Sequence, residues 1–324
     1  MYDRKSSSNM VDIQDIYDAH KRIRDYALWT PVMTSSTIDK MVNCQVFFKC
    51  ENFQRVGAFK FRGAFNTVSQ LTKKEREQGV IAHSSGNHAQ ALALAASILG
   101  IKATIVMPKN SPMVKVNATR GYGAEVVFCE NSTESRVQVA NELIKKHEYV
   151  LIHPYNDERI IAGAGTAALE LINDVESLDY VFAPVGGGGL LSGTSIATKG
   201  VCSECLVFGV EPANADDAYR SFRDGRIYPS INPNTIADGL RTQLGEITFK
   251  IIREFVDSIV TVTEEEIVEA MRLLWERMKL VVEPSGAVSL AGLLKMKDEI
   301  QDKRVGVILS GGNIDLSKFF SELL

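Results

Sequence analysis

Gly57-Ala58-Phe59-Lys60-Phe61-Arg62-Gly63-Ala64 is the stretch on which the reading of this chain turns. It follows a short strand-like run, Val46-Phe47-Phe48-Lys49-Cys50-Glu51. Lys60 stands between two phenylalanines, although an ammonium group is strongly hydrated and resists burial. If the phenyl rings face inward, desolvation lowers the lysine pKa and frees an amine near neutral pH. A free amine in a partly apolar pocket is what Schiff-base chemistry requires. The competing reading is a surface lysine that snorkels from an amphipathic segment. The octapeptide does not separate the two; the rest of the chain does.

Upstream, Ile13 to Ala27 carries apolar residues at helical spacing and ends before Thr30-Pro31. Thr34-Ser35-Ser36 can cap a following helical turn or bind an anion. Downstream, a helix over Ala64 to Arg76 leads into a regular strand–helix alternation. Strands are expected at Val80–Ala82, Ala103–Met107, Glu125–Cys129 and Val150–His153, with helices at Gln90–Leu99, Met113–Thr119 and Arg136–His147. A second series has strands at Tyr180–Val185, Leu206–Val210, Ser258–Val262 and Val305–Leu309. Its helices are Thr166–Asn173, Glu265–Met278 and Ala287–Met296, and Thr263-x-x-Glu266 is a capping box. Such alternation predicts an α/β protein whose parallel sheets are covered on both faces.

Length and composition bound the function. With 324 residues, two domains are the expectation. Hydrophobic content is 45%, charged content 23% and net charge -4, ordinary for a soluble globular protein and unsuited to a nucleic-acid or anionic-membrane surface. No apolar run approaches the roughly 18 residues of a spanning helix. The polar N-terminus lacks the apolar core of a secretory signal. Five cysteines, an odd and sparse set, suggest a reducing cytoplasm. Cys202 and Cys205 have redox-motif spacing but fall in a turn without a second pair.

Four turns carry chemistry. His83-Ser84-Ser85-Gly86-Asn87-His88-Ala89-Gln90 follows a strand and opens a helix, with more polar groups than a cap needs. Gly186-Gly187-Gly188-Gly189-Leu190-Leu191 also joins strand to helix. Four glycines cost backbone entropy and imply close approach to a ligand, best a single small phosphate. Neither G-x-G-x-x-G nor a Walker loop fits, although Glu211 mimics a ribose-binding acid. Glu211-Pro212-Ala213-Asn214-Ala215-Asp216-Asp217 reads as either a solvated acidic loop or a divalent-cation site. Ser310-Gly311-Gly312-Asn313, after the last strand, is a further glycine turn expected to open a helix.

Together these turns resemble the fold-type II pyridoxal-phosphate enzymes, the tryptophan synthase β-like fold, and within them the serine/threonine dehydratase and serine racemase branch. The resemblance runs from about Ile13 past Ser310. It implies that Lys60 carries the cofactor, Phe59 packs on its ring, and Asn87 holds the ring's phenolic oxygen. Gly186, Gly187, Gly188 and Gly189 with Leu190 would cradle the phosphate, and Ser310 would face the pyridine nitrogen. A serine there cannot hold a full positive charge as a carboxylate would, so the ring is a weaker electron sink. Ser84, Ser85, Asn87 and His88 are implied in substrate binding.

Two features within the branch point toward racemisation. Ser85 is a second serine where simple threonine dehydratases tend to have alanine. It would supply an acid/base on the ring face opposite Lys60, and inversion at Cα needs one per face. Glu211, Ala215 and Asp217 match the racemase type's site for Mg2+, Mn2+ or Ca2+. Ala164 departs from the glutamine common in relatives. The resemblance further implies a homodimer; Ser35, Ser36, Gln90, Tyr122 and Asn313 lie at positions matching the interface nucleotide site of animal racemases, which makes ATP a candidate effector, although regulation does not follow from the match. The expected activity is interconversion of L- and D-serine with β-elimination to pyruvate and ammonia. The alternative is a threonine/serine or threo-3-hydroxyaspartate dehydratase without useful racemase activity. A nucleotide-binding dehydrogenase or a non-catalytic metabolite sensor are readings from other classes, disfavoured by the missing G-x-G-x-x-G and by the intact Lys60. Residues 1–65 and 154–324 are expected to form the large domain, and residues 66–153 a small mobile one that closes over substrate.

Overall fold

The computed structural model describes residues 10–84 and 86–316. Among these, the strands are β1 (Val32–Met33), β2 (Gln45–Cys50), β3 (Val80–His83), β4 (Ala103–Pro108), β5 (Glu125–Cys129), β6 (Val150–Leu151), β7 (Tyr180–Pro184), β8 (Leu206–Pro212), β9 (Ser258–Val262) and β10 (Arg304–Leu309). They form a six-stranded sheet, order β1-β2-β10-β7-β8-β9, and a four-stranded sheet, order β5-β4-β3-β6. Every neighbouring pair is parallel except β1–β2. The short antiparallel β1 departs from the expected parallel sheets; two residues leave no periodic signal to read.

The central strands read as continuous apolar runs because helices cover both faces. In β10, Val305 to Leu309 are all buried. This last strand lies between β2 and β7, so the larger sheet needs both ends of the chain. The helices Glu158–Asp174 and Gly189–Val201 cross so closely that a Cβ on Gly193 would stand 2.5 Å from the backbone nitrogen of Gly165.

Several local expectations hold. Thr263 caps the helix Glu264–Leu273, and Glu266 completes its box. Ser35 Oγ accepts from the Ile38 amide and caps the helix Ser36–Val42. Others shift. The expected helix Ala64–Arg76 is two helices, Lys60–Ser69 and Lys73–Gln78. They break because Thr72 and Glu75 form a capping box that starts the second. The first helix stops at Ile23, and the helix expected from Thr166 begins two turns earlier at Glu158. The helix expected through Met278 turns into a π-turn, Leu274–Met278, and ends on left-handed Lys279. The helix Glu246–Phe255 was not anticipated. No helix opens at Ser310-Gly311-Gly312-Asn313 among the described residues; Gly311 instead bridges to Ala58.

The carboxyl ends of β2, β10, β7 and β8 lie along one edge of the larger sheet. They lead to Lys60, Ser310, the glycine turn and Glu211 respectively. The carboxyl end of β3 brings Ser84 and Asn87 from the smaller sheet to the same cavity. Open α/β sheets bind ligands at such edges.

Candidate active site

Lys60 opens the helix Lys60–Ser69 and reaches into a cavity of about 340 Å³. The exposed part of its side chain faces that cavity. Its Nζ donates to the Pro154 carbonyl oxygen at 2.7 Å and lies 5.0 Å from the Phe59 ring centroid. It makes no ion pair within 4 Å of a carboxylate among the described residues. Burial without a compensating anion pulls its pKa down to about 8. Lys60 thus lines a cavity instead of snorkelling from an open surface, and an amine in such a setting suits Schiff-base chemistry.

The glycine turn forms the opposite wall. Gly188 adopts φ +89, and a Cβ there would meet Thr248, Leu244 and Ile252 side-chain atoms at 2.9 Å. A Cβ on Gly187 would overlap the Tyr155 ring. Thr248 Oγ1 donates to the Gly187 carbonyl oxygen at 2.8 Å and fixes the turn from behind. Gly189 opens the helix Gly189–Val201, whose amino-terminal dipole favours an anion. A turn that no side chain can enter, at a helix start, fits a phosphate cradle.

Between these walls stands Asn87. Its Nδ2 donates to Glu283 Oε1 at 2.7 Å, and its Oδ1 accepts from Asn313 Nδ2 at 2.9 Å. Asn313 Nδ2 also donates to the Val56 carbonyl oxygen at 2.6 Å. Glu283 is buried, and burial, reinforced by Asp238, pushes its pKa up to about 8. Ser310 lines the cavity, and its carbonyl oxygen accepts from the Phe59 amide at 3.0 Å. Ser84 also lines it; Ser85 lies outside the described residues.

Three histidines border the cavity, His83, His88 and His153. His88 Nε2 pairs with the Ile152 carbonyl oxygen at 3.0 Å, and burial, then the nearby Lys60, lowers its pKa to about 3. His153 Nδ1 accepts from the Tyr155 and Asn156 amides, so a neutral ring carries its proton on Nε2. Burial and the neighbouring His83 and Lys60 lower its pKa to about 4. Burial and Arg136 lower that of His83. Sequence reasoning missed Glu283, His153, Tyr155 and Thr248. Each comes from a segment far along the chain, and none sits in a local pattern that sets it apart.

Glu211 and Asp217 are both fully buried. The segment between them is a short 3-10 turn, Ala213–Ala215, exposed at Ala213 and Asn214, and Asp217 starts the helix Asp217–Asp224, so the two carboxylates are buried although the turn is not. Glu211 accepts from the Ala218 and Tyr219 amides at 3.0 and 2.8 Å. Neither Asp217 carboxylate oxygen has a hydrogen-bond partner; Ser230 sits close enough to soften the shift but outside hydrogen-bonding geometry. Burial and the neighbouring Asp217 raise the Glu211 pKa well above the usual range, and burial raises Asp217 to about 6. Among the described residues, no group of three or more His, Cys, Asp or Glu side chains is disposed to hold a metal. Two carboxylates, one with orphaned oxygens, are a donor set that suits a hard cation.

A family model described as pyridoxal-phosphate dependent enzyme matches residues 23–311. The chain belongs to this family. It is 51% identical over 306 residues to an L-threo-3-hydroxyaspartate ammonia-lyase of Saccharomyces cerevisiae, covering 94% of each chain. It is 50% identical over 311 residues to a serine racemase of Dictyostelium discoideum, covering 95% of this chain and 96% of the other. The crystal structure of that slime-mould racemase superposes with a TM-score of 0.91 at 49% identity, over 94% of this chain and 99% of the other. The fold is thus the fold-type II arrangement, and the enzyme is of the racemase and ammonia-lyase kind that depends on pyridoxal phosphate.

Of the five residues matching a nucleotide site, Asn313 is bonded to Asn87, and Gln90 follows it on the helix Asn87–Ile98. Tyr122 packs against the core cluster that contains Phe65 and Ala91. Ser35 and Ser36 open a helix elsewhere, beside the larger sheet. The Cys202–Cys205 pair is unbonded, as are the other three cysteines.

Proposed function

We propose that this enzyme interconverts L- and D-serine and eliminates the β-hydroxyl of serine to give pyruvate and ammonia. The observation that carries the reading is Lys60: a buried amine, without an anionic partner, facing a glycine turn across one cavity. When bound, pyridoxal phosphate supplies an electron sink for the charge left at Cα. The chain's own residues do the rest. Gly186 to Gly189 and Leu190 would hold the phosphate, and Phe59 would pack against the ring. Asn87, oriented by Glu283 and Asn313, would hold the ring oxygen, and Ser310 would meet the ring nitrogen. Ser84, Asn87 and His88 orient the substrate. Lys60 Nζ moves the Cα proton on one face and Ser85 Oγ on the other.

Glu211, Asp217 and the Ala215 carbonyl are proposed to bind Mg2+, Mn2+ or Ca2+. The orphaned, buried oxygens of Asp217 support this. Tyr26, Leu28, Trp29 and Phe53 are exposed on two segments that Gln54 ties together through Leu28. That apolar surface supports a homodimer. Residues 66–153, which contain the whole four-stranded sheet, are proposed to move as the small domain. ATP as an effector and a cytoplasmic location complete the reading. Five unpaired cysteines suit a reducing compartment. No helix among the described residues is long and apolar enough to cross a membrane.

The second reading is a threo-3-hydroxyaspartate dehydratase. Arg136 and Lys115, the latter ion-paired with Asp238 at 2.8 Å, line the same cavity and are the cationic side chains proposed to meet a second substrate carboxylate. Incubating the holoenzyme separately with L-serine and L-threo-3-hydroxyaspartate decides between them. The racemase reading expects D-serine by chiral chromatography, with pyruvate alongside. Ammonia from hydroxyaspartate with no D-serine from L-serine replaces it by the second reading.

A further inference from the structure

We propose that Arg62 is a positioning residue for Lys60: its guanidinium, clamped between Glu51 and Glu170, sets the helix turn from which Lys60 reaches the cavity. This rests on the reading of Lys60 as the reacting amine and adds what holds it there.

Arg62 is two residues beyond Lys60, in the same first turn, and is fully buried. Its Nε and Nη2 donate to Glu51 at 2.7 and 2.8 Å. Its Nη1 and Nη2 donate to the two oxygens of Glu170, each at 2.7 Å. Nη1 also reaches Thr166 Oγ1 at 3.1 Å, and Nη2 the Leu28 carbonyl oxygen at 3.2 Å. Thr30 donates to Glu51 at 2.6 Å, and Lys49, fully buried, pairs with Glu170 at 2.7 Å. Two buried cations thus face the buried carboxylates Glu51 and Glu170, with the partly exposed Asp174 3.9 Å from Lys49, and every Arg62 nitrogen is engaged.

The arrangement ties three separate elements. Glu51 follows β2, Glu170 belongs to the helix Glu158–Asp174, and Arg62 belongs to the helix that starts at Lys60. That helix start has no side-chain cap; its Phe59 amide bonds to Ser310. A fork held by two carboxylates fixes rotation and translation, which a single apolar contact does not. Buried ion clusters seldom add net stability over apolar packing, so geometry is the better account of this one. A reacting group displaced by about 1 Å loses roughly a hundredfold in rate.

The test compares three holoenzyme variants. Arg62→Lys keeps the charge and loses the fork. Glu51→Gln weakens one arm. Lys49→Met breaks the same cluster away from the Lys60 helix. For Arg62→Lys we expect kcat to fall at least ~tenfold with KM moved less than about threefold. The pH midpoint of kcat/KM and the visible absorption of lysine-bound cofactor should shift as well. Glu51→Gln should move the same readouts in the same direction, by about threefold in kcat. Lys49→Met should lower the melting temperature and leave the midpoint and spectrum in place. The inference is overturned if Arg62→Lys, or Glu51→Gln where Arg62→Lys does not fold, loses only thermal stability. It is also overturned if Lys49→Met shifts midpoint and spectrum as far as they do. A wild type without the lysine-bound absorption removes the reading of Lys60 itself, and this inference with it.

Discussion

Asn87 donates to Glu283 across 2.7 Å inside the cavity that holds Lys60, joining a residue of the smaller sheet's edge to one that opens the helix Pro284–Lys295. The burial of Glu283, which outweighs the opposing effect of the Asn87 bond, has a pH consequence. Below about pH 4.5 the Glu283 carboxyl is protonated whether the chain is folded or not. Between there and about 8 the unfolded chain releases the proton while the folded one keeps it. Stability falls as pH rises through that window, and the full penalty stands above it. Glu283→Gln keeps an acceptor for Asn87 and removes the titration. Its stability relative to wild type should therefore grow from pH 4.5 to 8, by on the order of 3 kcal/mol, in urea unfolding. A difference that stays constant with pH would contradict this.

Divalent cations should raise the melting temperature, and more at pH 7.5 than at pH 5. Asp217 is protonated in the folded chain below about pH 6, and burial beside Asp217 lifts Glu211 well above the ordinary carboxylate range, so cation and protons compete for the pair. At a hundred times the dissociation constant the gain is about 2.7 kcal/mol. Asp217→Asn should abolish the cation effect and stabilise the cation-free protein. Equal melting temperatures in chelator and in millimolar Mg2+ at pH 7.5 would remove the site.

Ser85→Ala should suppress racemisation, and attack on D-serine, far more than elimination from L-serine. Elimination needs proton removal on the Lys60 face alone, whereas inversion needs both faces. Loss of one acid/base is worth roughly 10²–10⁴-fold. Pyruvate release and chiral chromatography, run in parallel on wild type and variant, measure the split. Undiminished racemisation by the variant would rule Ser85 out as the second base.

Much of this was legible in the sequence, for identifiable reasons. The glycine turn and the run around Asn87 stand out because their residue types exceed what a cap or turn needs, whereas Lys60 is singled out only in combination with them, since its octapeptide alone fits a surface lysine equally well. The boxes Thr263–Glu266 and Thr72–Glu75 carry the same local signal. The second was overlooked because apolar spacing suggested one helix across it. Glu283 and Arg62 were not legible as site residues. Their meaning depends on partners 196 residues away, at Asn87, and 108 residues away, at Glu170. A carboxylate beside a proline, or an arginine after a phenylalanine, is unremarked until tertiary packing brings its partner. The buried state of Glu211 and Asp217 was hidden likewise, since an acidic stretch reads as solvated unless the helix after it is seen.

The central claim is that Lys60 holds the cofactor and moves the Cα proton. Lys60→Ala, purified and supplied with pyridoxal phosphate, tests it most directly through the visible absorption spectrum and serine turnover together. The account predicts loss of the lysine-bound absorption, with neither pyruvate nor D-serine formed from L-serine. A variant that keeps that absorption and turns over serine at the wild-type rate would contradict it.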